Sequence, residues 1–170
     1  MQRILGIDPG SRVTGFGVID SDGVKSRHVA SGCIRLDGEV AGRLAEIFVA
    51  IGRVIDEYHP AACAIENIFV AKNAMSALKL GQARGAAICA MAVTGLDVHE
   101  YSPREVKQAL VGGGGADKRQ VAYMVALLLN HRDRMKLDES DALAVALCHA
   151  HSRHLRARLA DQARRAGARR

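Results

Sequence analysis

Residues 3–23 read RILGIDPGSRVTGFGVIDSDG, and residues 24–36 continue VKSRHVASGCIRL. RILGID is a short apolar run ending on an acid, PGSRVT is rich in turn formers, and GFGVIDSDG is a second strand-like stretch. Asp22-Gly23 is a turn dipeptide, so the third stretch folds back on the second. Three strands joined by short loops make an antiparallel meander. Outward from it, Val40, Leu44, Ile47, Phe48, Ile51, Val54, Ile55 and Tyr58 recur at steps of three and four. That is the stripe of an amphipathic helix, closed by His59-Pro60 and able to cover one face of the sheet. The run AACAI (61–65) is short and continuously apolar, which suits a strand buried on both faces, and it stops at Glu66.

The remainder alternates. Residues 73–94 lack proline and are rich in Ala, Leu and Met, which predicts a helix in which Gly81 and Gly85 permit close approach of another backbone. DVHEYS (97–102) reads as a strand. Ser102-Pro103-Arg104-Glu105 supplies a cap, a first-turn proline and an acid three residues after the cap, the signature of a helix start. Gly112–Gly115 is a break, 116–130 a helix, HRDRMK a polar loop, and a last helix starts near Asp138. Strand–helix alternation after a meander implies parallel strands with right-handed crossovers. The fold class is therefore α/β, a five-stranded mixed sheet flanked by helices.

The acids stand at informative places in that plan. Asp8 follows ILGI and Glu66 follows ACAI, so both lie at the carboxyl ends of central strands, where open α/β sheets place their sites. Asp138 and Asp141 are three apart at a helix start and share a face. Glu139 is turned about 100° from Asp138 and is peripheral. Each acid alone has an ordinary explanation: a strand end, a partner for a buried Arg, or a complement to a helix N-terminus. Together they are like charges in one cleft, which raise one another's pKa unless a cation is present. Oxygen ligands without His or Cys favour Mg²⁺ or Mn²⁺, and a pair of such ions can activate water and stabilise a leaving oxygen in phosphodiester hydrolysis.

Composition narrows the function classes. A chain of 170 residues, 49% hydrophobic and 25% charged, sustains one domain. No uncharged apolar run reaches the length of a membrane span and the first residues lack a secretory pattern, so a cytoplasmic protein without membrane association is expected. Cys33, Cys63, Cys89 and Cys148 are scattered without a C-x-x-C pair and read as reduced core thiols. Residues 151–170 hold seven Arg against Asp161, while residues 1–150 balance 17 Lys and Arg against 17 acids. A basic tail on a neutral body fits a polyanionic partner, and equally a solvated terminus. GGGGADK (112–118) lacks the glycine before lysine and the hydroxyl after it that a phosphate-binding P-loop requires. His149, His151 and His154 stand near no nucleophile and read as surface or packing residues.

By the segments ILGIDPGSRVTGFGVI, AIENIFVAKNAMSALKLGQARG, Tyr101–Val111 with Lys107, Lys118 in its loop, and DESDALAVA, the sequence resembles the RuvC family of crossover junction endodeoxyribonucleases over about residues 1–150. The resemblance implies a ribonuclease H-like domain over 1–155, followed by a flexible basic tail over 156–170. It implies a Mg²⁺-dependent homodimer, with two ions per site and Mn²⁺ as a substitute, that resolves four-way (Holliday) junctions by paired symmetric nicks in recombination and repair. Asp8, Glu66, Asp138 and Asp141 match the family's catalytic metal-binding acids. Phe69 matches an aromatic near the crossover, able to stack on an unpaired base. Lys107 and Lys118 match lysines of the DNA cleft, and Arg12, Lys72 and Asn73 are assigned to backbone contacts. RuvA and RuvB are the implied partners.

Three other readings stay open at this stage. GIDPGS also resembles the phosphate hairpin of actin-like ATPases and sugar kinases, which need two such domains. A related ribonuclease H-like nuclease acting on RNA shares the opening turn, and a non-catalytic junction-binding module would need the same surface. Removing the residues after His151 is expected to flatten the salt dependence of DNA binding, measured as the slope of log Kd against log salt. An unchanged slope would exclude the tail from binding.

Overall fold

The computed structural model describes residues 1–67 and 73–167, with side chains as far as residue 164. The elements are β1 (Gln2–Asp8), β2 (Val13–Ser21), β3 (Ser26–Arg35), α1 (Val40–Tyr58), β4 (Ala62–Glu66), α2 (Ala74–Ala92), β5 (Val98–Tyr101), α3 (Pro103–Val111), α4 (Lys118–Leu128) and α5 (Leu137–Gly167). The strands form one sheet in the order β3-β2-β1-β4-β5. β1, β2 and β3 are antiparallel neighbours, and β4 runs parallel to both β1 and β5. The α/β plan expected from the sequence, a meander followed by parallel strands, is the one observed.

Local chemistry explains the element boundaries. Between β2 and β3 the Asp22 carboxylate accepts from the backbone N–H of Val24 and of Lys25, and Gly23 takes a φ of +92°. α3 begins with the expected capping box, in which Ser102 Oγ accepts from Glu105 N–H and the Glu105 carboxylate accepts from Ser102 N–H. Asp117 and Gln120 build the same device for α4. The start of that helix thus falls at Lys118 rather than at residue 116.

Two cores lie on opposite faces of the sheet. Leu5, Ile7, Val18, Cys63 and Ile65 point to the side covered by α1 and α2. Ile4, Ile19, Ala64 and Tyr101 point to the side covered by α3, α4 and α5. The central helix of the second layer, α5, lies flush on the strands because glycines leave it room. A Cβ added at Gly6 would come within 2.2 Å of the Ala142 carbonyl oxygen, and one at Gly15 within 2.0 Å of the Asp138 carbonyl oxygen. Gly6 pairs with Gly17 across β1 and β2, and Gly17 faces the Leu143 side chain, so a shallow track runs under the helix.

Two expectations are corrected. Among the described residues, Gly81 and Gly85 of α2 have no atom within 4 Å of an added Cβ, so neither serves a close backbone approach there. Cys89 is exposed on α2 and is not a core thiol, whereas Cys63 and Cys148 are buried. α5 runs on to Gly167, since the stretch of Arg, Ala, Leu and Gln from residue 156 holds no helix breaker before that glycine. Among the described residues no helix is long and apolar enough to cross a membrane.

Gly6→Ala is expected to destabilise the domain by about 1–3 kcal/mol, because the added methyl meets helix backbone and α5 must lift. Gly52→Ala, mid-helix in α1 with open space around it, is expected to be neutral or to stabilise by up to about 1 kcal/mol. Urea denaturation midpoints compare the two.

Candidate active site

The parallel register of β1 and β4 matches Gly6 with Ala64 and Ile7 with Ile65, so the next residues, Asp8 and Glu66, sit side by side where the strands end. Alternation along a strand sends every second side chain to one face. Asp8 shares its face with Gly6 and Ile4, and Glu66 shares its face with Ala64; this is the α5 side. Asp8 lies opposite Gly15 of β2, and Gly15 is the residue on which the backbone of Asp138 rests. Asp138 and Asp141 in the first turns of α5 are thereby delivered to the two strand-borne acids.

The charges of Glu66, Asp141 and Asp138 all act on Asp8. Burial, then the charges of Glu66, Asp141 and Asp138, push the Asp8 carboxyl up to about 8, against the pull of Lys118. Burial and Asp141 raise Glu66 as well, opposed by Lys118 and Lys107. Lys118 Nζ donates to Asp141 Oδ2 at 3.2 Å, and the charge of Asp141 raises the lysine pKa in turn. Glu66, Asp141, Lys107 and Lys118 line one cleft of about 270 Å³, walled by Val106, Val121 and Ala144.

Glu139 turns elsewhere. Its carboxylate accepts from Lys136 N–H at 2.7 Å, capping α5, and its charge is felt by His28 and Cys33. Arg12 is exposed in the turn after β1, where its carbonyl accepts from Leu36 N–H. Asn73 caps α2 through a bond accepted from Met75 N–H. Phe69 and Lys72 lie outside the described residues. The histidines of α5 pack as expected: His149 is buried with Nδ1 at 2.9 Å from Tyr101 Oη, and burial pushes its pKa down to about 4.

The structure adds a support that the sequence did not reveal. Arg84 of α2 donates from Nε to the Glu66 carbonyl oxygen at 3.3 Å and pairs through Nη2 with Glu100 of β5. It holds the end of β4 from behind. Eighteen residues separate Arg84 from Glu66, and only the fold closes that gap.

The donor set fits a divalent cation of the Mg²⁺ class: four hard carboxylate oxygens, mutually repelling, with no His or Cys among them. Among the described residues no three such side chains are drawn close enough to enclose an ion as they stand. Lys118 meanwhile occupies the carboxylate of Asp141.

Acids at the ends of adjacent central strands, answered by acids on the helix lying across them, define a nuclease of the ribonuclease H-like class. The family model for the crossover junction endodeoxyribonuclease RuvC matches residues 4–149. The chain belongs to the RuvC family. It is 54% identical over 169 residues to the crossover junction endodeoxyribonuclease RuvC of Alkalilimnicola ehrlichii, covering 99% of this chain and 100% of that one. It is also 54% identical to that of Methylococcus capsulatus over 166 residues, covering 97% of this chain and all of the relative. The structure of T. thermophilus RuvC in complex with a Holliday junction substrate superposes with a TM-score of 0.86 at 32% identity, covering 91% of this chain and 96% of that one.

A carboxyl that ionises near 3.8 unfolded and near 8 folded makes the metal-free protein lose stability as pH rises between those values. Asp8→Asn is therefore expected to raise the melting temperature in EDTA, with no gain at about pH 4 and a full gain of several degrees by about pH 8. A domain of this size gains roughly 2–4 °C per kcal/mol. Thermal unfolding of both proteins across that range checks the sign.

Proposed function

We propose that this chain resolves four-way DNA junctions by metal-dependent phosphodiester hydrolysis at the cleft formed by Asp8, Glu66, Asp138 and Asp141. The observation that carries the reading is the register of Asp8 beside Glu66 under the acid-bearing start of α5. The names of its relatives and the junction-bound T. thermophilus structure support the substrate.

Divalent cations, Mg²⁺ or Mn²⁺ and two per site, supply an activated water and stabilise the departing 3′ oxygen when bound. The chain's own groups do the rest. Burial and the neighbouring carboxylates favour the protonated form of Asp8 in the metal-free cleft, and a divalent cation held there would favour its charged form. Glu66 is fixed from behind through its own carbonyl by Arg84, which leaves its carboxylate directed into the cleft. Lys107 and Lys118 place positive charge on the same wall, where a phosphate entering the cleft meets it. Hydrolysis with the 3′ oxygen as leaving group yields 5′-phosphate and 3′-hydroxyl ends. A four-way junction has near two-fold symmetry, so paired symmetric nicks call for a homodimer that presents two such clefts. RuvA and RuvB are the partners that the family resemblance implies.

A labelled synthetic junction, tested beside linear duplex and an RNA–DNA hybrid of the same sequence, decides the reading. Paired nicks confined to the junction, present with Mg²⁺ and absent with EDTA, are expected. Cleavage of the hybrid alone would keep the fold and discard the substrate. Asp8→Asn and Glu66→Gln are expected to lower the cutting rate by roughly three powers of ten, the scale of losing metal assistance, while leaving junction binding largely intact. Glu139→Gln is expected to cut far better than Asp138→Asn, because Glu139 caps Lys136. Equal losses would place Glu139 among the ligating acids.

A further inference from the structure

The cleft that holds Glu66 and Asp141 does not end at Lys107. Pro103 and Lys107 also line a second cleft of about 410 Å³, whose other walls are Arg104 and Gly114. The two clefts adjoin at Pro103 and Lys107, and together they reach from Glu66 and Asp141 past the first turns of α3 to Gly114. Along them the cations follow in order: Lys118, engaged by Asp141, then Lys107, then Arg104. Arg104 is exposed, and among the described residues no carboxylate pairs with Arg104 or with Lys107.

The glycine loop fixes where Arg104 lies. A Cβ added at Gly114 would stand 2.7 Å from Arg104 Cγ and 3.2 Å from Arg104 Nε, so the arginine stem rests on bare loop backbone. Lys107 and Arg104 are three residues apart on one helix, which sets their Cβ atoms about 5–6 Å from each other. That separation suits successive charges on an extended strand, and a guanidinium offers the planar fork that grips a phosphate.

We propose that Arg104, seated on Gly114, forms a phosphate subsite one or two nucleotides from the scissile bond, and that the substrate strand leaves the acid cleft over Lys107 towards it. The ligand is a single DNA phosphodiester, recognised by charge and shape without reading a base. This rests on the nuclease reading of the acid cleft and adds the direction in which the strand runs.

The test measures junction affinity in EDTA across a series of salt concentrations, for wild type, Arg104→Ala, Arg104→Lys and, as a control at the distant turn 22–25, Lys25→Ala. The substrates carry a neutral methylphosphonate at each position within two nucleotides of the cut. Arg104→Ala is expected to weaken binding several-fold and to lower the slope of log Kd against log salt by about 0.7–0.9, the amount of one phosphate contact. Arg104→Lys should restore the slope, and Lys25→Ala should match wild type. At one flanking position the methylphosphonate should weaken wild type and leave Arg104→Ala unchanged. An Arg104→Ala protein that keeps the wild-type slope and the wild-type methylphosphonate profile overturns the subsite. Wild type that cuts junctions in Mg²⁺ while showing that result refutes the subsite alone, whereas wild type that neither binds nor cuts refutes the nuclease reading with it.

Discussion

The contact of α5 with β1 and β2 is the constraint on which the molecule depends. A helix laid on a sheet is normally held off by the side chains between them, and here Gly6, Gly15 and Gly17 remove that layer. The helix backbone at Asp138 and Ala142 comes down onto the strands, and the carboxylates at its start come within range of Asp8. The same contact carries much of the second core, since Leu143, Ala144, Val145, Ala146 and Leu147 are all buried. Small residues thus serve stability and the site together, through closeness of approach.

The acid cluster works against the fold that presents it. Asp8 is held in a place where its charge is disfavoured first by burial and then by three neighbouring carboxylates. Lys118 offsets part of that repulsion by lying on Asp141, but it stands at the first residue of α4, at the rim of the cleft. A cluster that folding alone would remove is kept where the cost is confined to a few side chains. The layers around it, packed on both faces of the sheet, supply the stability that tolerates it.

Much of this was legible in the sequence because it was periodic or local. The stripe of α1, the Ser102–Glu105 cap and the acids closing ILGI and ACAI each declare themselves within a few residues. The long-range partners do not. Arg84 reads as one more charge on an Ala-rich helix until α2 packs beside the end of β4. Gly6 and Gly15 sit without emphasis inside strand-like stretches, whereas Gly81 and Gly85 look like packing glycines, and the close approach falls at the first pair instead of the second. Glycine in a sequence marks permission for close approach, and what makes use of the permission is decided by the tertiary fold. Cys89 was misplaced for a related reason: its apolar neighbours describe α2, and which face of α2 meets the chain is a separate matter.

The pairing of Asp8 with Glu66 also limits how this gene can change length. Because successive side chains of a strand face opposite ways, one codon gained or lost within β1 or β4 would turn an acid from the α5 face into the core beneath α1 and α2. The turn at 22–25 and the glycine loop at 112–115 lie outside those two strands, and indels there leave the alternation of both acids untouched. Drift in length is therefore channelled to the periphery, while the two acid-bearing strands are counted out residue by residue.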